Sequence, residues 1–464
     1  MAKEKSFTAL VLGAGLGTRM KSSLPKVLHE LAGEPLIIHS IKNILPLKPR
    51  KITVVVGHKA EMVEDRIRQW ADENNTGVKF DFVRQKLLKG SGRAVFEARD
   101  RIERKSNVLI VCADAPLLKT NTLLALNKFF LRDKADGVIL SSEVENPASY
   151  GRIKRDENGN VISIVEESDA DEMEEKIKEI NSGVYVFKSD YLLKALPKLR
   201  AKGPKKEYYL TDIVEETIKM GGKVRALKIE DAVQTMGINS RIQLAGAHKK
   251  MYLSKAEKLM LSGVTILDPA NTYIENSVKV GKDTVIYPGV FLKGQTVVGQ
   301  SCKIGPYVVL EDCKVEANVE IKFSCFIVSS VIKRDCVIGP FSHIRPGSDI
   351  GPEAKVGNFS EIKKSRIREG SKVPHLSYVG DTEMGRKVNV GAGTITCNYD
   401  GVKKHKTVIG DGVFIGSNTN LIAPVKVGND VLIGAGSTIT ENIPRGRLAI
   451  ARARQVVKKL KKRK

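Results

Sequence analysis

The sequence predicts two domains of different class, an α/β domain with a mostly parallel sheet up to about Asn239 and a parallel β-helix from about Val264. In the first part, apolar runs alternate with stretches of helical spacing, which is the pattern of a parallel sheet covered on both faces. In the second part, an aliphatic residue followed by glycine recurs at multiples of six residues. The stretch between them, 240–263, is rich in Ala, Leu, Lys and Met and ends at Gly263, which predicts a connecting helix.

Several apolar runs of the first part predict buried strands. They are Phe7–Leu12, "KITVVVGH" (51–58), "NVLIVCAD" (107–114), "DGVILSSEV" (136–144) and "SGVYVFK" (182–188). Ligands of open parallel sheets bind beyond the carboxyl ends of the strands. The glycine-rich turn Gly13–Gly17 and the carboxylate of Asp114 both fall at such ends, so we expect a ligand site there.

The glycine-rich turn reads "LGAGLGTRM", with glycines at every second position. This spacing differs from the P-loop and fits the dinucleotide-binding fingerprint poorly. Glycines still allow backbone N–H groups to approach phosphate oxygens, and Arg19 and Lys26 would add positive charge. The alternative is a tight strand–helix turn with basic residues on the surface, and the glycine pattern alone leaves both interpretations open.

The repeats of the second part are the strongest fold signal in the chain. The aliphatic-Gly pairs begin at residues 280, 298, 304, 338, 356, 390, 409, 415, 427 and 433. A period of six predicts a β-helix of hexapeptide repeats, in which one aliphatic side chain per repeat points inward. The phase breaks near 305–338 and again between 391 and 409. The second break contains "TCNYDGVKKHK", which we expect to be a loop that leaves the coil, where functional residues are common.

Composition narrows the kinds of partner. The formal net charge of +24 favours anions such as phosphorylated metabolites, nucleic acid or an acidic membrane. Aromatic residues make up only 5% of the chain and no zinc-finger or RNP pattern occurs, so dedicated nucleic-acid binding is not expected. The six cysteines include no CxxC pair and are expected to be reduced thiols of a cytosolic protein. We expect neither a signal peptide nor a membrane span, and we expect the basic run "KKLKKRK" to be a solvated tail.

The motifs resemble one family along nearly the whole chain. "LGAGLGTRM…LPKVL" is followed, in the family's order, by "RPGS", "VGNFSEIKKS", "HLSYVGD", "VNVGAGTITCNYDG" and "IGAGSTIT". This resembles the bacterial bifunctional N-acetylglucosamine-1-phosphate uridylyltransferases/glucosamine-1-phosphate N-acetyltransferases. The resemblance implies a Rossmann-like nucleotidyltransferase domain over 1–239, a linker helix over 240–263, and a left-handed β-helix acetyltransferase domain with a basic tail over 264–464.

The resemblance also implies the reaction and its setting. The product would be UDP-N-acetylglucosamine, a precursor for peptidoglycan and lipopolysaccharide biosynthesis. The small-molecule substrates would be UTP, acetyl-CoA, glucosamine 1-phosphate and the intermediate N-acetylglucosamine 1-phosphate. The enzyme would be a cytoplasmic homotrimer, with faces such as "IGAG" and "GSNTN" packed around the axis and acetyl sites between subunits.

For uridylyl transfer, a protein mainly supplies positioning and charge neutralisation. The resemblance implies that Gln85 pairs with uracil through its amide, and that Asp114 and Asn239 are ligands of Mg²⁺, which leaves its other positions to phosphates and water. The residues implied to bind UTP and UDP-N-acetylglucosamine are Leu12, Gly15, Arg19, Lys26, Gln85, Gly90, Ser91, Gly151, Glu166, Asn181 and Asn239, the last four of them around the sugar.

For acetyl transfer, the ammonium of glucosamine 1-phosphate must lose a proton, and a histidine is suited to accept it. His375 matches the family's catalytic histidine, and we expect Asn398 to orient it. The resemblance implies a sugar-phosphate site made of Arg345, Lys363, Tyr378 and Asn389. It implies an acetyl-CoA site made of Ala392, Asn398, Tyr399, Lys404, Ser417, Ala435 and Arg452.

Two other interpretations remain open at this point. The chain could be a uridylyltransferase whose β-helix serves only for assembly. It could also resemble regulatory proteins that fuse a pyrophosphorylase-like domain to hexapeptide repeats, but these tend to lose the basic residues of the first loop, which are present here as Arg19 and Lys26. Three sites depart from the family pattern: Cys112-Ala113 replaces a Tyr-Gly-like pair, Ser91 replaces Thr, and Arg93 replaces His.

Overall fold

A computed structural model describes residues 7–203 and 206–460. Contacts divide the chain into two compact units, Met1–His248 and Lys249–Lys464. The helix Arg241–Leu261 contains the boundary between them. Of the basic C-terminal run, residues 461–464 lie outside the described residues, and the preceding ten have no regular secondary structure and are exposed.

The first unit is built on one nine-stranded sheet. Its strands are β1 (Phe7–Leu12), β2 (Lys51–Val56), β3 (Lys79–Arg84), β4 (Asn107–Cys112), β5 (Gly137–Glu143), β6 (Arg152–Arg155), β7 (Val161–Val165), β8 (Glu179–Lys188) and β9 (Val224–Ile229). The order is β9-β5-β8-β4-β1-β2-β3, with β6 pairing to β8 and β7 to β6. All main-path pairs are parallel except those of β8, which runs antiparallel to β4 and β5.

The helices are α1 (Leu36–Ile44), α2 (Ala60–Glu73), α3 (Ser91–Glu97), α4 (Thr120–Arg132), α5 (Ser189–Ala195), α6 (Asp212–Lys219) and α7 (Arg241–Leu261). Two-stranded ribbons pair Glu30–Leu31 with Glu34–Pro35 and Ala201–Lys202 with Glu207–Tyr208. Two buried clusters cover opposite faces of the sheet, because successive side chains of β1 alternate: Ala9 and Val11 join one cluster and Leu10 the other. The expected layering of the sheet between helices is confirmed.

The second unit is a prism of three parallel sheets with 11, 10 and 9 strands. The first sheet contains Thr265–Ile266, Val285–Ile286, Lys303–Ile304, Glu320–Ile321, Val337–Ile338, Lys355–Asn358, Lys372–His375, Asn389–Val390, Phe414–Ile415, Leu432–Ile433 and Leu448–Ala449. The second contains Tyr273–Ile274, Phe291–Lys293, Val309–Glu311, Phe326–Val328, His343–Ile344, Glu361–Lys363, Tyr378–Gly380, Ile395–Cys397, Asn420–Ile422 and Thr438–Ile439. The third contains Lys279–Val280, Val297–Val298, Lys314–Val315, Val331–Ile332, Asp349–Ile350, Arg366–Ile367, Thr382–Met384, Thr407–Ile409 and Val425–Val427.

Each coil contributes one strand to each sheet, and the repeated aliphatic side chains stack in register inside the prism. Ile304, Ile321 and Ile338 are successive partners on the first sheet and are almost completely buried. The phase break near 305–338 does not interrupt the coil: its turns there are 17 residues long, as at Cys313 over Thr296, instead of 18, as at Cys302 over Thr284. A one-residue difference shifts the sequence phase without interrupting the ladder.

The second phase break is a loop that leaves the coil, as predicted. The coil from Met384 to its partner Ile409 spans 25 residues, compared with 17 in the coil before it and 18 in the coil after it. Its extra residues form a short antiparallel turn closed by a bridge between Tyr399 and Lys404. The amide of His405 donates to the Asn398 carbonyl over 2.8 Å, which closes the base of the loop.

Candidate active sites

The glycine-rich loop begins at the carboxyl edge of the sheet of the first unit. The Gly13 amide donates to the Val55 carbonyl over 2.8 Å, and the Ala113 amide donates to the Leu12 carbonyl over 3.0 Å. Gly15 is exposed, and a Cβ added there would meet nothing within 4 Å. The loop is therefore fixed at its start and open where a ligand would approach.

Gly17 is required by packing. Its φ of +63° is in the left-handed region, and an added Cβ would lie 2.7 Å from the Cβ of Lys26. Only glycine lets the loop pass this close to the segment that carries Lys26. Arg19, in the short helical turn Thr18–Met20 that follows, is exposed and forms no ion pair among the described residues. The two basic residues predicted to bind phosphate therefore differ: Arg19 has no ion pair among the described residues, whereas Lys26 is paired within the protein.

Lys26 contacts both predicted metal ligands. Its ammonium donates to a carboxylate oxygen of Asp114 and, over 2.9 Å, to Oδ1 of Asn239. Asp114 follows β4, and its carbonyl accepts the Ile238 amide over 2.8 Å, which brings Asn239 alongside. Two oxygens from distant segments therefore converge on one cation, which is the arrangement that a Mg²⁺ with few protein ligands needs. Among the described residues no group of three or more His, Cys, Asp or Glu could hold a metal, so any further ligands would come from substrate and water.

Gln85 is buried and held by backbone groups at the start of the "GSG" turn. Its side-chain N–H groups donate to the carbonyls of Leu87 (2.8 Å) and Gly90 (3.2 Å). Because the donor half of the amide is used within the protein, the predicted pairing of Gln85 with uracil would use the amide oxygen as the acceptor. Gly90 has φ +88°, and the hydroxyl oxygen of Ser91 accepts the Leu210 amide over 3.2 Å.

Three of the four predicted sugar residues, Gly151, Glu166 and Asn181, lie together at β8, whereas Asn239 lies with Asp114. The Asn181 amide donates to the Gly151 carbonyl over 2.8 Å, and a Cβ on Gly151 would come within 3.5 Å of a Glu166 oxygen. The Glu166 carboxylate accepts the Thr211 hydroxyl over 2.9 Å, and burial raises the pKa of Glu166. The Asn181 side chain donates to the Tyr185 hydroxyl over 2.7 Å. These hydrogen bonds fix the pocket before any ligand enters.

Cys112 lies at the end of β4, at the same edge. Its sulfur is 3.5 Å from the Gly183 carbonyl, and burial raises its pKa to about 12. A thiol that stays neutral is a poor nucleophile, so Cys112 contributes a small, unreactive side chain to the edge of the site. A Cβ at Gly183, whose φ is +74°, would lie 3.1 Å from the sulfur, so the two residues pack as a matched pair.

The predicted acetyl-transfer residues of the second unit form a column along one corner of the prism. Asn358 and His375 are register partners, and each is the last residue of its strand in the first sheet. In the coils that follow, the same corner carries Ala392, Ser417 and Ala435. The Asn418 amide donates to the Ala392 carbonyl (2.7 Å), the Gly436 amide to Ser417 (2.8 Å), and the Arg452 guanidinium to Ala435 (2.9 Å). Beyond His375, the small side chains of this column leave space along the corner of the prism, and Arg452 lies at the end of that space.

His375 is oriented by Asn358. Nδ1 of the imidazole and Oδ1 of Asn358 are 2.7 Å apart. An amide oxygen can only accept, so Nδ1 carries the proton and Nε2 keeps its lone pair to act as a base. The expectation that Asn398 orients His375 is wrong: Asn398 donates to the Asp381 carboxylate over 2.5 Å and to the Tyr378 hydroxyl over 3.4 Å. Asn358 and His375 are 17 residues apart, which is the length of one coil, and this spacing could have indicated from the sequence that the two residues are neighbours.

Three of the four predicted sugar-phosphate residues lie on or beside the second sheet. The Arg345 guanidinium donates to Glu361 over 2.8 Å, and Glu361 is the register partner of Tyr378. Lys363 ends the strand that contains Glu361, and its charge and hydrogen bonding lower the pKa of Lys404 in the extruded loop. Two neighbouring lysines can both donate charge-assisted hydrogen bonds to an anion. Asn389 instead lies on the first sheet, in register with Lys372.

The extruded loop is stabilised by Asp400. Its carboxylate accepts the amides of Val402 (2.8 Å) and Lys403 (2.7 Å) and contacts the His405 imidazole over 2.6 Å. The His405 hydrogen bond, together with the backbone amides, lowers the pKa of Asp400. Tyr399 is exposed, and its hydroxyl donates to the Gly401 carbonyl. The loop thus presents its side chains in a fixed conformation.

Comparison with known families defines the class of protein. Residues 8–233 match the nucleotidyl transferase family, residues 269–348 match the GMPPB C-terminal domain, and residues 406–441 match the bacterial transferase hexapeptide family of six repeats. The chain is thus a nucleotidyl transferase joined to a hexapeptide-repeat transferase domain, and the predicted fold class is confirmed.

Relatives of similar length define the family. The bifunctional protein GlmU of Carboxydothermus hydrogenoformans is 47% identical over 449 residues, covering 97% of this chain and 98% of that protein. GlmU of Thermotoga maritima is 47% identical over 460 residues, covering 98% and 99%. A crystal structure of UDP-glucose pyrophosphorylase complexed with UDP-glucose aligns over 54% of this chain and 99% of its own, at a TM-score of 0.44 and 18% identity, which supports no inference. The chain belongs to the GlmU family, as its motifs predicted. Every helix within the described ranges is too short or too polar to span a bilayer.

Proposed function

We propose that the chain makes UDP-N-acetylglucosamine at two separate sites. The second unit transfers acetyl from acetyl-CoA to glucosamine 1-phosphate, and the first unit transfers uridylyl from UTP to the resulting N-acetylglucosamine 1-phosphate with release of pyrophosphate. Membership of a family of bifunctional proteins supports this pair of activities. The observation that carries the proposal is the pairing of two built sites, one around Asp114 and one around His375.

In the first unit, the phosphate of the sugar attacks the α-phosphorus of UTP. Arg19 and the backbone beside Gly15 bind the triphosphate, and the carbonyl oxygen of Gln85 accepts the N3–H of uracil. Mg²⁺ held by Asp114 and Asn239 would neutralise phosphate charge when bound. The remaining contribution of the chain is positioning, which is the main requirement of phosphoryl chemistry.

The sugar is held by the neighbouring pocket of Gly151, Glu166 and Asn181. Glu166 and Asn181 offer an oxygen acceptor and an amide whose orientations are already fixed. A fixed pocket binds the sugar without a further ordering cost.

In the second unit, Nε2 of His375 takes a proton from the ammonium group of glucosamine 1-phosphate. The neutral amine then attacks the thioester carbonyl, and CoA leaves. Arg345, Lys363 and Lys404 bind the sugar phosphate, and Tyr378 and Asn389 contact the sugar. The pantetheine arm follows the small side chains of the corner column towards Arg452, which binds a CoA phosphate.

This arrangement disfavours the two alternatives. A β-helix that served only for assembly would not need a histidine whose ring is oriented by an asparagine of the preceding coil. A regulatory protein would not need the phosphate-facing Arg19 and the converging oxygens of Asp114 and Asn239. We also propose the cytoplasm as the compartment, because UTP and acetyl-CoA are cytoplasmic metabolites.

We propose a homotrimer as the functional assembly. His375 is exposed in the single chain, and Asn389 lies on a different sheet from Arg345, Lys363 and Tyr378, so one copy leaves the acetyl site incomplete. An exposed apolar ridge continues the same corner: Tyr307, Phe341, Phe359 and Leu376 are 43–67% exposed. A neighbouring copy would cover the ridge and complete the site. Light scattering tests this, and a monomer that acetylates efficiently would contradict it.

The test of function is one assay with purified protein. Glucosamine 1-phosphate, acetyl-CoA, UTP and Mg²⁺ should yield UDP-N-acetylglucosamine. Omission of acetyl-CoA should stop the synthesis, and N-acetylglucosamine 1-phosphate should restore it. A protein that uses N-acetylglucosamine 1-phosphate but never glucosamine 1-phosphate would be a uridylyltransferase only. A protein with neither activity would contradict the proposal.

A further inference from the structure

Lys26 occupies the point where the two metal-ligating oxygens converge. Its side chain is only 12% exposed, and its ammonium is bound to both Asp114 and Asn239. The nearby Arg19 is exposed and unpaired among the described residues, so the ion pair is specific to one of the two basic residues of the loop. Asp114 and Asn239 lie 88 and 213 positions from Lys26 in the sequence, so the contact joins three separate segments of the chain.

An ammonium and a divalent cation cannot both use these oxygens. Mg²⁺ requires its oxygen ligands at about 2.0–2.1 Å, closer than the ammonium sits to Asn239. A unit charge a few ångströms from a divalent ion also repels it strongly in a partly buried site. Metal can therefore enter only if the Lys26 side chain moves away.

We propose that Lys26 occupies the metal position of the nucleotide-free enzyme and leaves it only when a triphosphate offers the ammonium another partner. This rests on the proposed function, in which Asp114 and Asn239 hold the metal. The glycine loop directs such an exchange, because Gly17 brings the loop backbone against the Lys26 side chain at the position where phosphates would bind. Binding of metal and binding of nucleotide are then coupled, and the free enzyme binds metal poorly.

The prediction can be measured without turnover. Mn²⁺ alone is titrated into the nucleotide-free full-length protein, and free Mn²⁺ is followed by electron paramagnetic resonance. Lys26→Met should bind Mn²⁺ at least about tenfold more tightly than wild type, since it removes the competing charge. Lys21→Met is the matched control, because Lys21 is an exposed lysine of the same loop and its removal changes the net charge equally. It should leave Mn²⁺ affinity unchanged.

Two further variants make the result specific. Lys26→Met combined with Asp114→Ala should lose the gain, because the site itself is removed. Lys26→Met should also weaken UTP binding, measured by calorimetry without metal, so that affinities for metal and nucleotide change in opposite directions. A general loosening of the structure would weaken both. Lys26→Gln repeats the measurement if the methionine variant fails to fold.

Three results would overturn the proposal. The first is wild-type protein that binds Mn²⁺ alone with micromolar affinity. The second is a Lys26→Met protein whose Mn²⁺ affinity is unchanged while Asp114→Ala abolishes uridylyl transfer, which would leave the proposed metal site intact and refute only the role of Lys26. The third is an Asp114→Ala protein with full uridylyl transfer, which would refute the metal site and the proposed function of this residue together.

Discussion

Removing the side chain that orients the catalytic histidine should slow acetyl transfer without abolishing it. Asn358→Ala deletes the oxygen that lies 2.7 Å from Nδ1 of His375. The imidazole then loses the partner that fixes its tautomer and its rotation. His375 itself remains, so general base catalysis, worth about 10²–10⁴ in rate, is impaired but not removed.

The magnitude follows from the one hydrogen bond. A neutral hydrogen bond contributes about 0.5–1.5 kcal/mol, and 1.4 kcal/mol is a factor of about ten in rate. His375 is exposed and Asn358 is half-buried in the single chain, which places the loss in the lower part of this range. We expect kcat for acetyl transfer to fall about two- to fivefold, with little change in KM for either substrate.

The assay is release of CoA from acetyl-CoA with saturating glucosamine 1-phosphate, over a range of pH. Asn358→Asp should keep the orientation but place a carboxylate beside the ring, which stabilises the imidazolium and moves the acid limb of the pH–rate profile to higher pH. Asn398→Ala should instead raise KM for acetyl-CoA and leave the acid limb in place. Equal kcat in Asn358→Ala and wild type would refute the orienting role, and so would an Asn398→Ala variant that shifts the pH profile.

Two more predictions concern the first unit. Burial lowers the pKa of His29 and His39, so the unfolded chain binds more protons than the folded chain below about pH 6.5. The free energy of unfolding should therefore fall as the pH is lowered through that region. Thermal unfolding at pH 7.5 and 5.5 measures the change, and an unchanged midpoint would count against the prediction. A fragment that ends at residue 239 removes His248, which accepts the Ala32 amide over 3.3 Å. It should unfold at lower temperature than a fragment ending at residue 261, and only the longer one should retain near-normal uridylyl transfer; equal midpoints would show that the helix does not support this unit.

Much of the architecture could be predicted because it depends on periodic signals. The six-residue period of aliphatic-Gly pairs identifies a β-helix regardless of side-chain detail, and the strand-helix alternation identifies the sheet. The apparent break near 305–338 was misleading because a coil of 17 residues keeps the ladder intact while it shifts the phase. The positions of the aliphatic-Gly pairs along the sequence depend on the length of each coil, whereas the ladder depends only on which residues pair between neighbouring strands.

The side-chain partners of the sites were harder to predict for the same reason. Asn358 meets His375 only because the intervening coil is 17 residues long. Asn398 was a reasonable candidate from its motif, but the extruded loop directs it to Asp381. The contact of Lys26 with Asn239 joins segments 213 residues apart, and no local pattern encodes it. The residue types of the sites follow from motifs, but the pairings require the fold.

The central claim is that one chain carries two independent active sites whose reactions are consecutive. The most direct test mixes two separately purified variants, Asp114→Ala and His375→Ala, with glucosamine 1-phosphate, acetyl-CoA, UTP and Mg²⁺. Each variant alone should form little UDP-N-acetylglucosamine, because the first lacks a metal ligand and the second lacks the base. The mixture should form it, since N-acetylglucosamine 1-phosphate released by the first is used by the second. A mixture as inactive as its components, or a single variant that has lost both partial reactions, would contradict the account.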